Sequence, residues 1–185
     1  MINRVEVTEA KETLGIFLSP SGSMIGEFKK LWQIAEEWVV SRQNCRLSRV
    51  EVWIALQSTI WHTLSYPLPV TTLSKVQWEE IISIVLRFAL PAMGICRSFP
   101  HDMVLVPLQY FGLRILHLHS LQEIARLKDI IQHSHLQTTT GKLTIGSLAT
   151  LHLEIGLPNI LSEVSYVTYS HLATHSLLKC TWEFL

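Results

Sequence analysis

From Arg4 to Thr8 apolar and polar side chains alternate, and from Thr13 to Leu18 an apolar run is interrupted only by Gly15. Both patterns predict strands, which together make a short sheet. Ser19-Pro20-Ser21-Gly22 then places proline and glycine at the second and fourth positions of a tight turn. Beyond it the period changes. Between Met24 and Arg42 the bulky residues Phe28, Leu31, Trp32, Ala35, Trp38 and Val39 recur at three- and four-residue intervals, with Lys29, Lys30, Glu36 and Glu37 elsewhere on the same helix.

Two further helices announce their own starts. Ser48 with Glu51, and Ser74 with Gln77, have the spacing at which two side chains satisfy each other's orphan backbone amides in a first helical turn. The first of these helices carries Val50, Trp53, Ile54, Ile60, Trp61 and Leu64 until Pro67 and Pro69 stop it, and the second carries Trp78, Ile81, Ile82, Val85 and Ala89 up to Pro91 and Gly94. Residues 95–112 hold two prolines among polar side chains and predict an ordered loop with one short helical turn. Helical spacing resumes from Leu113 to Gln132, breaks at Thr138-Thr139-Thr140-Gly141, and returns from Leu143 to Ile155 before Gly156-Leu157-Pro158. Leu161 to Leu185 holds one or two more apolar segments. The expected fold is therefore mainly α: a strand pair over residues 1–22, then a single bundle-like helical unit over residues 23–185.

Composition narrows the function classes. The 185 residues are 48% apolar, enough for a sizeable core, while charged residues make up only 16% and fifteen bases cancel fifteen acids. A chain with no net positive charge lacks the generic basis for tight, autonomous nucleic-acid binding, which leaves that role to local basic patches. Cys45, Cys96 and Cys180 are odd in number and far apart, which fits a reduced, intracellular setting, nucleus and cytoplasm undistinguished. Met1 to Ala10 carries Glu6 and Glu9 and no apolar core, unlike a secretory signal. The longest uncharged stretch, Val52 to Ser74, is broken by Pro67, Pro69, Gln57 and His62, so no membrane span is expected.

Some short motifs carry a family resemblance. Thr13-Leu14-Gly15-Ile16-Phe17-Leu18-Ser19-Pro20-Ser21-Gly22, followed by a tryptophan-bearing helix, resembles the segment beyond the catalytic site of non-LTR retrotransposon reverse transcriptases, where a Leu-Gly strand leaves the palm for the thumb. Gly94-Ile95-Cys96-Arg97-Ser98-Phe99-Pro100, Pro107-Leu108-Gln109-Tyr110-Phe111-Gly112-Leu113 and the closing Trp182-Glu183-Phe184-Leu185 are similar to stretches downstream of that thumb. The match departs from the family at Gly112, where relatives show a glycine pair. The resemblance implies a fragment whose ancestral task is to grip template-primer nucleic acid while a palm upstream of Met1 does the chemistry.

Nucleotidyl transfer in that family needs a Tyr-x-Asp-Asp pair, because adjacent carboxylates hold two metal ions about 3.5–4 Å apart. Here Asp102 and Asp129 are the only aspartates, and neither has an acidic neighbour. No catalytic residue, metal or cofactor is therefore assigned, and neither the Rossmann nor the P-loop glycine pattern occurs. Candidate nucleic-acid contacts are Lys29, Lys30, Arg42, Arg46 and Arg49, on the first two helices and their link. His117/His119 and His133/His135 are spaced two apart, which diverges on a helix. His171 and His175 have the i, i+4 spacing of a helical zinc pair, with Cys180 as a third ligand, but lack the glutamate of His-Glu-x-x-His and are read as surface or interface residues. The six tryptophans sit mostly at helical apolar positions and are read as core rather than base-stacking platforms. A second reading follows from scarce charge and abundant tryptophan: a helical module that docks an exposed apolar surface on a partner or on itself.

Overall fold

The computed structural model describes residues 6–7, 9–157 and 164–185. It is mainly helical, with a two-stranded antiparallel hairpin near the N-terminus. Strands β1 (Lys11–Thr13) and β2 (Ile16–Leu18) pair with Thr13 opposite Ile16 and Lys11 opposite Leu18. This corrects the expected pairing of 4–8 with 13–18. Arg4, Val5 and Thr8 lie outside the described residues, Glu6 and Val7 are not in a strand, and the apolar run folds back within itself. The reason is local: Leu14 and Gly15 take φ of 52° and 78°, the left-handed pair that a two-residue hairpin turn requires.

Helix α1 (Ile25–Gln43) buries the expected stripe, Leu31, Ala35 and Trp38. It also buries Glu27, whose carboxylate accepts the Phe17 amide at 2.7 Å and ties the hairpin to the helix. Helix α2 (Arg49–Ala55) opens on the Ser48–Glu51 capping box, widens into a π-helical segment (Leu56–Trp61) and closes as α3 (His62–Ser65). Hydroxyls crowd that widened stretch. Ser58, Thr59 and Thr63 each donate to the carbonyl four residues back, and Thr59 Oγ1 also receives Trp38 Nε1 at 2.8 Å. Helix α4 (Lys75–Ala92) opens on the Ser74–Gln77 box and buries Trp78, Ile81, Val85 and Ala89. It ends at Gly94, at φ +80°, where amides of 93–95 return to carbonyls of the last turn.

Between α4 and the next long helix lie α5 (His101–Leu105) and a 3₁₀ turn (Leu108–Tyr110). The chain doubles back here: Leu113 N reaches Met103 O, Ile115 N reaches Val104 O, and Arg114 N reaches Val106 O. Helix α6 (Leu118–Ser134) consequently begins five residues later than the apolar spacing from Leu113 predicts. Residues 113–115 are spent on these backbone bonds, with Arg114 at φ 51°. Helix α7 (Thr139–Ile155) begins earlier than predicted, because Thr138 is its N-cap and accepts the Gly141 amide; the Thr138–Gly141 stretch starts a helix rather than breaking one. Pro158 and Leu161 fall outside the described residues. The last elements are α8 (Tyr166–Tyr169), a 3₁₀ turn (Ser170–Leu172) and α9 (Leu177–Phe184).

The chain divides into two compact units, residues 1–121 and 122–185, where the sequence led us to expect one over 23–185. Each has its own core. The first gathers Trp38, Leu56, Ile60, Trp78 and Val85 among others, and the second Ile130, Leu151, Ile155, Leu178 and Trp182. The division falls inside α6, so no proline- or glycine-rich linker marks it in the sequence. Among the described residues no helix is long and apolar enough to cross a membrane.

Candidate nucleic-acid interface

The five basic residues singled out from the sequence separate into two places. Lys29 is exposed near the start of α1, and its neighbour Lys30 is engaged: Nζ lies 3.2 Å from Glu12 Oε1 and also donates to Gly15 O. Lys30 thus clamps the hairpin turn to α1. Twelve residues on, about 18 Å along the helix axis, Arg42 occupies the last turn of α1. Arg46 is exposed in the link that follows, and Arg49 is the exposed first residue of α2.

The end of α1 meets the end of α4. Trp38 packs edge-on against Phe88 with ring centroids 5.8 Å apart. A shallow cleft beside this pair is lined by Val39 and Gln43 from α1, by Arg87, Phe88 and Pro91 from α4, and by Arg97 beyond it. Arg49 belongs to the same end: a side chain at Gly94 would put its Cβ 2.9 Å from the Arg49 guanidinium carbon. Arg87 and Arg97 thus line the cleft, Arg49 stands against the end of α4, and Arg42 and Arg46 lie at the end of α1 and in the link to α2; no carboxylate lines the cleft among the described residues. The nearby Glu51 carboxylate is occupied by the Ser48 amide, whose hydrogen bond holds its pKa below the usual range. The two guanidiniums of Arg87 and Arg97 beside this apolar floor suit phosphate oxygens, which arginine binds in bidentate fashion.

Arg87 and Arg97 were missed in the sequence. Arg87 reads as one polar position on an apolar helix, and Arg97 as one polar residue of a loop. The usable signal was that both flank Pro91 and Gly94, the stop signals that bring the chain back beside α1.

The other candidates do not assemble. His171 lies in a 3₁₀ turn and Ala173 is extended, so His171 and His175 do not share a helical face, which corrects that expectation. His175 Nε2 is 3.9 Å from Cys180 Sγ, but no group of three His, Cys, Asp or Glu able to hold a metal exists among the described residues. His133 is half-buried and His135 exposed at the end of α6. Asp102 and Asp129 lie on α5 and α6. The six tryptophans are all buried or half-buried, as core residues are.

His117 has a structural role that spacing does not reveal. Its Nδ1 accepts the Ser120 amide at 3.2 Å, so the ring caps the first turn of α6. Burial pushes its pKa down, Lys75 adds to this, and Glu79 opposes it. A folded-state pKa below the ordinary ~6.5 means that the neutral ring stabilises the fold above that value. This contribution is lost as pH falls through the folded value, because the unfolded chain then binds more protons. Denaturation midpoints measured from about pH 7.5 to 5.5 are expected to fall more steeply for the natural chain than for His117→Asn, whose amide caps without titrating. Equal slopes would remove the cap from the account.

No family model, curated protein or solved structure matches this chain.

Proposed function

We propose that this chain is a non-catalytic, thumb-like module of a reverse transcriptase, which holds a template-primer duplex by its phosphate backbone while a separate palm performs synthesis. The observation that carries this reading is the arginine cluster at the junction of α1, α2 and α4. In a chain of zero net charge, five of the fifteen basic residues lie on the end of α1, the start of α2, the end of α4 and the segments that follow α1 and α4, two of them lining one cleft. The sequence motifs that resemble the palm-to-thumb passage support it from the other side: Thr13–Leu18 contains a strand fastened to α1 through Glu27, the place such a passage would hold.

Backbone gripping is sequence-independent and salt-sensitive. Each phosphate contact contributes about −0.7 to −0.9 to the slope of log affinity against log salt, so five arginines set a limit near −4 for an RNA–DNA hybrid. Fluorescence anisotropy between about 20 and 200 mM salt is expected to give a slope within that limit, shallower by about 1.5 for the Arg87→Gln/Arg97→Gln variant. Lys30→Gln leaves the slope nearly unchanged, because Lys30 is committed to Glu12 and Gly15. No binding at the lowest salt would defeat the proposal.

A second reading, docking through an apolar surface, has its own observation. Leu108, Tyr110 and Phe111 are 62%, 64% and 90% exposed on the tight loop between α5 and α6. Concentration-dependent association in sedimentation, indifferent to salt, is the signature of that reading.

A further inference from the structure

A cavity of about 430 Å³ lies on the opposite flank of the first unit's core, away from the residues of the arginine cleft. Its walls are core side chains. Trp61, Ile82, Leu86, Val104 and Ile115 are each no more than 8% exposed, yet all border this space. The walls are also held in place: Trp61 Nε1 donates to Leu116 O at 3.0 Å, and the Ile115 amide donates to Val104 O at 3.0 Å. A preformed apolar space of this size falls at the lower end of ligand pockets, about 300–1,000 Å³. It gives water few partners, so an apolar body displaces water there favourably.

The rim has the opposite character. Glu79, Glu80 and Asp102 are exposed at its edge, and Lys75, 3.8 Å from Glu79, is the one lysine or arginine among the lining residues. His117, on the same rim, keeps Nδ1 as an acceptor for the Ser120 amide and so adds no positive charge in that state. Two carboxylates are left without a cationic neighbour in the lining. We propose that this cavity binds a small organic cation, an aryl- or alkyl-ammonium whose apolar body enters between α4 and α5 and whose charged head meets Glu80 and Asp102. The same rim disfavours anions of equal size. The site is independent of nucleic-acid gripping, since it shares no lining residue with the arginine cleft.

Calorimetry on the full chain near neutral pH tests this with three probes of one shape: 4-phenylbutylammonium, 4-phenylbutanol and 4-phenylbutyrate. The ammonium is expected to bind with Kd below about 1 mM and at least about tenfold more tightly than the carboxylate. Glu80→Gln/Asp102→Asn, at two exposed positions, should weaken the ammonium about fivefold and leave the alcohol unchanged. Ser83→Trp, which narrows the mouth, should abolish binding of all three if circular dichroism shows it folded. If it is not folded, the charge-neutralised variant decides alone. The proposal is overturned if no probe binds, if the carboxylate binds as tightly as the ammonium, if neutralising the rim changes nothing, or if a folded Ser83→Trp chain still binds.

Discussion

Replacing Gly112 by alanine is expected to destabilise the first unit by about 3 kcal/mol, the upper range of overpacking against rigid neighbours. An added Cβ would lie 2.0 Å from the Val106 carbonyl oxygen and 2.4 Å from its carbon. Both are backbone atoms of a loop whose Val106 carbonyl already accepts the Arg114 amide at 2.9 Å. Nothing flexible can step aside, so the return from α5 to α6 has to open. Urea denaturation followed by tryptophan fluorescence reads this directly, because Trp32, Trp38, Trp53, Trp61 and Trp78 all lie in that unit. Gly146→Ala supplies the contrast. Its Cβ meets nothing within 4 Å on the exposed side of α7, so it should be neutral or stabilising by up to about 1 kcal/mol. A Gly112→Ala chain as stable as the natural one would mean that this loop closes differently.

The second large effect is expected at Arg126, which is buried in the second unit with 1% of its side chain accessible and is paired with the equally buried Glu123. Removing one member of such a pair strands the other charge, at a cost of about 3–5 kcal/mol. Arg126→Met should therefore unfold this unit at markedly lower denaturant, while Glu123→Leu/Arg126→Met recovers most of the loss. Burial already pushes the Glu123 carboxyl up, against the hydrogen bond from Gln122 and the lowering influence of Arg126. Without the guanidinium the carboxyl rises further. A carboxyl whose folded pKa exceeds its unfolded value of about 4.3 favours the fold below that value and loses this contribution as pH rises through the folded one. The Arg126→Met penalty should thus shrink toward about pH 4. A penalty as large near pH 4 as near neutral pH would show that Glu123 is not the stranded charge.

Legibility in the sequence followed the range of the interaction. Both capping boxes, at Ser48–Glu51 and Ser74–Gln77, formed as their spacing implied, because a cap is decided within four residues. The buried stripe of α1 and the end of α4 near Gly94 were equally readable. The hairpin was readable as a presence but not in register, since Leu14 at positive φ is a cost that leucine rarely bears and that no propensity announces. The late start of α6 depends on backbone bonds from 113–115 back to 103–106, which periodicity cannot see. Glu27 reads as a polar position on an amphipathic helix and is buried only because the Phe17 amide waits for it.

The site was half legible for the same reason. Arg42, Arg46 and Arg49 are neighbours along the chain, whereas Arg87 and Arg97 come beside the end of α1, at Val39 and Gln43, only through the packing of α1 on α4. Lys30 looked equivalent to them in sequence and differs because the hairpin folds over it.

Whether the arginine junction is where nucleic acid lies can be measured by hydrogen exchange on the full chain, with and without an RNA–DNA hybrid at low salt. Added protection is expected at amides of residues 42–49 and 87–97, with 29–30 little changed. Protection absent from both arginine-bearing segments, or seen only at the hairpin end of α1, would contradict it.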